Sequence, residues 1–440
     1  MSSWYRYVVL GVLVLLVGGG WFSLVRSNVA DGAAYEQHLA AARSAAERGV
    51  THEVLASYQA ALDLRPSRDV AWERAKYLQE NGTPKERDEA LWSIARTYDD
   101  AEAYAALVEA AVADEDYTRA FEVIRAAEAA EVTGERLTGV ADSIAYVYEL
   151  GSTGFEDATP FYDDVAAVDT GDGWRAVRAN GRGVGRTHAS VGALAEGRIP
   201  VVDAEGKPYF MNTKGETDLV ATKVDYVSYG AIGDGIFPAR TADGSVGYLD
   251  LSFAPVFGEQ RYADGTSFHG GIAAVTDGQT WSVIDTGGQV VLGGLESVKV
   301  DERGTLGAEG RFFAVKEGAV ALYAADGSKV SDETFVDAKP FVDKVAAVQT
   351  AAGWGLLDKD GEWTVTPQFT DARSPRFGLA PVKVDELWGY ASSTGDVVIE
   401  PAFSDATVFA STGAALVRQA PEPGKTPRWV LLQLLRYEED

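Results

Sequence analysis

The chain has 440 residues, no cysteine and 46% hydrophobic residues, which excludes disulfides, thiolate metal sites and cysteine nucleophiles and does not fit wholesale disorder. Its 39 Lys and Arg stand against 66 Asp and Glu, a net charge of −27 that repels phosphate backbones and excludes a nucleic-acid partner. The length suffices for two or three domains, and the acidity is distributed, with 12 basic and 23 acidic residues over 32–150 and 25 and 42 over 151–440.

Between Arg6 and Arg26 lie 19 residues without a charge, YVVLGVLVLLVGGGWFSLV. As a helix rising about 1.5 Å per residue, they match the hydrocarbon core of a bilayer. Trp4, Tyr5 and Tyr7 at one end and Trp21 and Phe22 at the other stand where aromatic residues anchor at membrane interfaces. Asn28-Val29-Ala30 makes a poor cleavage site, because Asn28 occupies the place of a small apolar residue. Residues 1–30 are therefore expected to form an uncleaved signal anchor. That is a single-pass transmembrane helix in the cell membrane, N-terminus cytoplasmic and bulk extracytoplasmic, since the region that follows is acidic.

Residues 31–150 are rich in Ala, Glu, Leu and Arg, with apolar residues at three and four spacing, the period of amphipathic helices. Gly49, Pro66, Gly82-Thr83-Pro84 and Gly134 punctuate them. From His38 to Pro66 small residues at Ala41, Ala42 and Ala45 precede Tyr58, Ala61 and Pro66, and Asp100–Ala130 reads as a further helix pair with Tyr117, Ala120, Ile124 and Ala127 on its packing face. This stretch resembles a tetratricopeptide repeat, although His38 stands where that family carries a large apolar residue. The resemblance implies a groove for a peptide or partner helix. A spacer or stalk is the alternative.

At GSTGFED, residues 151–157, the texture changes to Gly, Val and aromatic residues with regular turn signals. An anchor position recurs at Trp174, Tyr209, Tyr248, Trp281, Val320, Trp354, Trp388 and Trp429, with spacings of 35, 39, 33, 39, 34, 34 and 41 residues. Upstream stands an Asp-Ala pair with a later aromatic: Asp157-Ala158 with Phe161, Asp337-Ala338 with Phe341, Asp371-Ala372 with Phe377, and Asp405-Ala406 with Phe409. Glycine follows the anchor by seven residues at Gly181, Gly288, Gly327, Gly361 and Gly395, but by six at Gly215. Asp360-Gly361 between two apolar runs predicts a two-residue type I′ hairpin. Each unit is then about three short antiparallel strands, with a glycine beside a tryptophan so that a neighbouring sheet can approach while the indole fills the space between.

These units resemble WG-repeat (WG beta-repeat) proteins on the Trp-Gly pairs at 354–355 and 388–389, and depart from them at Arg175, Phe210, Leu249, Ser282 and Val320. The resemblance implies an architecture and a tendency to bind, not an activity. Residues 151–440 are expected to hold about eight units. Closure into a β-propeller is favoured over a β-solenoid, because neither end carries a capping segment and the array starts part-way through its pattern at FEDATPF, residues 155–161. The expected fold is thus multidomain: transmembrane helix, tetratricopeptide-like helical domain, all-β WG-repeat domain.

No catalytic, cofactor-binding or metal-ligating residue is assigned, and no cofactor is expected. The four histidines, 38, 52, 188 and 269, have no ligand spacing. The row of Trp and Tyr reads as core packing rather than a carbohydrate-stacking surface. Asp358, Asp360 and Glu362 lack the full spacing of a calcium loop and read as a hairpin turn. GRGVGR, residues 181–186, lacks the Lys-Ser/Thr pair of phosphate loops and reads as a loop. Carboxylate pairs such as Asp163-Asp164 are too common in so acidic a chain to mark a glycosidase. The expectation is a membrane-anchored extracytoplasmic binding or scaffold protein, not an enzyme, whose partner is a protein or a cell-envelope component. The alternative is an envelope hydrolase with its site in the β repeats.

Overall fold

Residues 31–143 form helices because apolar side chains recur every three or four positions among strong helix formers. In the computed structural model, which describes residues 31–222 and 225–437, these are α1 (31–47), α2 (Thr51–Leu64), α3 (Arg68–Asn81), α4 (Pro84–Tyr98), α5 (Ala101–Ala113), α6 (Tyr117–Ala129) and α7 (Glu135–Ser143). Thr83 opens α4 with a capping box, its hydroxyl accepting from the Glu86 N–H while its own N–H donates to the Glu86 carboxylate. Asp100 opens α5 and also ties it to α3. One carboxylate oxygen accepts from the Glu102 and Ala103 N–H groups, the other from Arg68 Nε at 2.7 Å and Trp72 Nε1 at 2.8 Å. Burial pushes this carboxyl up, and the donors outweigh it and hold it below the usual carboxylate range.

Two expectations for the N-terminal part do not stand. Among the described residues no helix is long and apolar enough to cross a membrane, so the transmembrane helix and the single-pass cell-membrane assignment are not supported; residues 1–30, on which both rested, lie outside the described residues. The tetratricopeptide-like domain is also corrected, to a short run of seven helices among the described residues. Its buried Ala42, Ala45, Tyr58 and Ala61 are what any close helix pair requires, so they fix a pairing and not a repeat family.

The chain divides between Ala145 and Tyr146. The change of texture at Gly151 therefore falls inside the first strand, Tyr148–Phe155. Seven sheets follow among the described residues and make eight blades, because one seven-stranded sheet holds the last two. Blade 6 shows the pattern: Asp337–Ala338, Val345–Thr350, Gly353–Asp358 and Trp363–Phe369, each antiparallel to the next. Blades 1, 2 and 4 repeat it from Asp157, Ser190 and Asp264. Blades 3 and 5, from Ser228 and Ser297, have three strands, with isolated bridges at Pro255, Tyr262, Lys329 and Phe335 in place of the fourth. Blades 7 and 8 share Val397–Ala406, the outermost strand of one and the first of the other.

Blade 8 is completed by the strand that precedes blade 1. Tyr148–Phe155 pairs antiparallel with Trp429–Leu434, Tyr148 opposite Leu434 and Phe155 opposite Trp429. Hydrophobic clusters then fill every junction from blade 1–2 to blade 7–8. A last cluster joins Ala414, Leu416 and Trp429 of blade 8 to Phe161, Val168 and Val177 of blade 1. A series of interfaces that returns to its start is a closed β-propeller, so the solenoid alternative falls.

In the Trp-Gly pair the tryptophan packs between blades and the glycine acts within its own. Trp354 lies in the cluster between blades 6 and 7 and Trp388 in that between 7 and 8. A Cβ on Gly355 would come within 2.6 Å of the Val365 carbonyl oxygen, and one on Gly389 within 2.3 Å of that of Ile399. The reason is a wide bulge: Trp354 pairs with Phe369 but Leu356 with Val365, leaving residues 366–368 opposite Gly355 alone, and blade 7 repeats this around Pro401. The glycine thus makes room for the bulged outer strand of the same sheet, not for a neighbouring sheet. Blade 1 has Arg175 at this place, and its guanidinium covers Gly183 of the outer strand, where a Cβ would lie 2.4 Å away.

Pairing also corrects the anchor positions. Trp354 lies opposite the fifth residue of the preceding strand, Gln349; in blades 2 and 3 the residues so placed are Pro208, opposite Val202, and Val246, opposite Arg240. From Pro208 the glycine at 215 comes seven residues on, as elsewhere, and from Val246 the seventh residue is Phe253, which holds φ +62° where the glycines hold +77° to +89°. The turn at Asp358–Gly361 is not type I′. Gly361 alone is left-handed, its N–H donating to the Asp358 carbonyl, while the Asp358 carboxylate accepts from the Asp360 and Glu362 N–H groups. That is a type I turn with a bulge glycine.

Two outcomes test this architecture. In the cysteine-free chain, Glu149→Cys with Gln433→Cys, which face each other across the closing pair, is expected to oxidise to an intramolecular disulfide and stabilise the propeller by about 2–4 kcal/mol, read by thiol titration and denaturant unfolding. Gly389→Ala is expected to cost about 1–3 kcal/mol, whereas Gly139→Ala in α7, where a new Cβ meets nothing within 4 Å, is expected to stabilise by about 0.5–1 kcal/mol.

Candidate functional site

In each blade the chain runs from the short first strand to the second through an inner segment that ends in a tight turn. Left-handed residues recur in these turns, as at Asp163-Asp164, Glu196-Gly197, Asp234-Gly235, Gly270-Gly271, Glu309-Gly310 and Phe377-Gly378. Successive turns are linked. The Gly235 N–H donates to Glu196 at 3.3 Å, the Gly271 N–H to Asp234 at 2.8 Å, and Ser411 Oγ of blade 8 to Asp164 of blade 1 at 3.0 Å. The carboxylate pair Asp163-Asp164 is therefore a turn that helps bind blade 8 to blade 1.

Blade 5 departs from the rule. Its inner segment runs from 299 to 310, twice the length of 339–344 in blade 6. The added residues fold as a hairpin around buried Asp301, whose carboxylate accepts from the Arg303 and Thr305 N–H groups and from Arg303 Nε at 2.9 Å. The tip crosses the ring axis to the opposite blade. Tyr162 Oη donates to Glu302 at 3.0 Å, and the Arg303 guanidinium lies 5.0 Å from the Tyr162 ring centroid. Burial, then the Glu302 and Asp301 charges, push the Tyr162 hydroxyl far above its ordinary range, so it stays a neutral donor. The axis is thus plugged rather than an open channel.

Beside this plug lies a cavity of about 370 Å³ bounded by blades 1, 4, 5, 6, 7 and 8. Four cations line it. Arg303 is held by Asp301; Arg373 donates to Asp405 at 2.7 Å and to the Ala406 carbonyl, and lies 4.8 Å from the Trp388 ring centroid. Arg376 donates to the Phe161 carbonyl at 2.7 Å, and Lys339 lies 5.2 Å from the Trp354 ring centroid. Among the described residues neither Lys339 nor Arg376 has a carboxylate within salt-bridge distance. The other charged groups of the lining, Glu302, Glu309 and Asp343, are exposed. Next to Arg376 of the lining stands Phe377, 49% exposed at φ +52°, with the Arg376 guanidinium 5.2 Å from its ring centroid.

A second cavity of about 430 Å³ lies on the other side of the plug, against blades 3, 4 and 5, and Trp281, Thr266 and Ser267 line it. The buried Tyr229 hydroxyl on its wall has no hydrogen-bond partner, and burial, then Tyr226, push it up to about 12. Arg240 on its wall is paired with Asp264 at 2.6 Å.

The motifs singled out from sequence fall elsewhere. Trp354, Trp388 and Trp429 are buried between blades, Asp358 serves its own turn, and residues 183–186 of the glycine run lie in the strand Gly183–His188 rather than in a loop. Of the residues at the axis, Phe377 stands out in the sequence only as the aromatic after Asp371-Ala372, and those of the plug carry no motif. The one sign of the plug was the spacing of 39 residues from Trp281 to Val320 where blades 6 and 7 have 34.

Against known proteins, the family described as WG containing repeat matches residues 354–388 and 388–420. Two units of the chain are similar to that repeat. No curated protein matches the sequence. Among solved structures, BamB from Moraxella catarrhalis aligns at 12% identity over 65% of this chain and 100% of its own, with a TM-score of 0.43. The computationally designed Ika8 aligns at 11% identity over 66% and 98%, TM-score 0.41, and Saccharomyces cerevisiae Sqt1 at 12% over 66% and 97%, TM-score 0.38. Nothing about ligand or partner follows from likenesses of this size.

His188 closes the outer strand of blade 1, buried with its Nε2 2.8 Å from the Tyr209 hydroxyl. Burial, then Arg186, hold it below the ordinary value of 6.5. A depressed histidine contributes stability that is present above 6.5 and lost as pH falls, because the unfolded chain takes up the proton first. Propeller stability is therefore expected to drop from pH 7 to pH 5, and His188→Gln to flatten that slope in denaturant unfolding at stepped pH.

Proposed function

We propose that the protein is a binding scaffold, not an enzyme, that engages a protein partner at the axial mouth of its propeller. The observation that carries this reading is Phe377. Elsewhere the turn positions around the axis hold Asp, Glu or Gly, which tolerate or relieve a left-handed backbone; here a large aromatic accepts it and stands half in solvent. Such a conformation costs a bulky residue on the order of 1–2 kcal/mol, and it leaves the ring half exposed, with the Arg376 guanidinium against it. An exposed aromatic beside an arginine that lines a cavity is the composition of interface hot spots. The lining carboxylates support the same reading, since Asp301 is committed to Arg303 and Glu302 to Tyr162.

A photo-crosslinking amino acid at position 377 of the full chain, expressed in its native cells, is expected to capture one discrete protein. Arg376→Glu should abolish the adduct. The same crosslinker at Val290, 62% exposed on an outer strand, should yield none, and equal capture at both positions would count against the axial face.

A further inference from the structure

The axial cavity separates charge by depth. Its half-buried cations lie on the inner segments of blades 5, 6 and 7, and its exposed carboxylates, Glu302, Glu309 and Asp343, on the turns above them. In a chain with a net charge of −27, carboxylates are abundant, yet none among the described residues reaches Lys339 or Arg376. Arg303 and Arg373 of the same wall each have a carboxylate partner, Asp301 and Asp405. Removing a cation from water without a counter-charge is costly, and each of these two keeps only weaker partners, a ring face for Lys339 and a carbonyl and a ring face for Arg376.

We propose that this cavity takes one carboxylate of a partner polypeptide, with Lys339 and Arg376 as the receiving cations and the rim carboxylates facing neutral or basic residues next to it. The inference rests on the axial face being the binding face. A guanidinium with free N–H groups and a mobile ammonium suit a single carboxylate. The volume, about 370 Å³, lies at the small end of the range of roughly 300–1,000 Å³ for ligand sites, enough for a chain end or a side chain. A polyanion is disfavoured, because every further negative charge would meet Glu302, Glu309 or Asp343 at the mouth. The shared chemistry is a peptide carboxylate, from either a chain terminus or an Asp or Glu side chain.

The test uses the full chain, immobilised, and two randomised tetrapeptide pools, one with free C-terminal acids and one with C-terminal amides, with retained species read by mass spectrometry at low salt. Retention of free acids at least tenfold over amides, enriched in Lys or Arg, supports the inference with the chain terminus as source. Retention of amides only where they contain Asp or Glu supports it with the side chain as source. In either case Lys339→Gln and Arg376→Gln should each lower retention at least tenfold, while Lys339→Arg, which keeps the charge over Trp354, restores it; unchanged thermal unfolding separates this from misfolding. Equal retention of acids and uncharged amides, or retention indifferent to both Gln variants, overturns it. The underlying reading fails separately. A crosslink at position 377 without any acid-dependent retention leaves the binding face standing and overturns the carboxylate site, whereas acid-selective, Lys339-dependent retention without a crosslink supports the site and removes only the contact at Phe377.

Discussion

The propeller depends on one backbone pairing, that of Tyr148–Phe155 with Trp429–Leu434. Without it blade 8 would end on the open edge of Trp429–Leu434, and the hydrophobic faces of blades 8 and 1 would have no fixed partner. With it, the cluster around Phe161, Leu416 and Trp429 has the same character as the other junctions. Each blade can be a small sheet of short strands, too small to be stable alone, because both its faces are covered by neighbours. The residues at the axis inherit their positions from this closure, since blade 5 can touch blade 1 only in a ring that has come round.

Within that ring the glycines serve two different needs. Gly361 and its equivalents supply a left-handed backbone at the bulged turns, a purely conformational requirement that Phe253 also meets, at a cost. Gly355 and Gly389 are instead places where a side chain would collide with the bulged outer strand. Blade 1 shows that the second need can be met from the other side: Arg175 stands on the middle strand, and the space is surrendered by Gly183. The departures from Trp-Gly along the chain are thus alternative solutions to one packing problem.

Much of this was legible because a period of 34 residues and a turn glycine are carried by local backbone rules. Closure of the array into a ring followed from its starting mid-pattern. What was not legible depended on strand pairing or on distant contacts. Tyr209 and Tyr248 look like anchors by residue type, yet pairing puts Pro208 and Val246 there. In blade 2 the slip of one residue reverses faces, so Tyr209 packs towards blade 1 and Phe210 towards blade 3. The irregular glycine at 215 was the sign of that slip. Asp301, Glu302 and Arg303 carry no pattern at all, because they act through Tyr162, some 140 residues away. In the helical part, buried alanines report close packing and not a repeat family.

The closing pair also sets a timetable. Tyr148 and Leu434 are partners across 286 residues, and at roughly 5–20 residues per second a ribosome needs on the order of 15–60 s to deliver the second after the first. For that interval the strand from 148 is synthesised but unmatched, with its hydrogen-bonding edge open and seven blades assembling beside it. So distant a contact is slow to find, and during the wait a second nascent copy could offer the same partner sequence. The feature that stabilises the finished ring therefore makes its synthesis the period of greatest exposure to strand exchange between copies, with Tyr148–Phe155 the segment to shield.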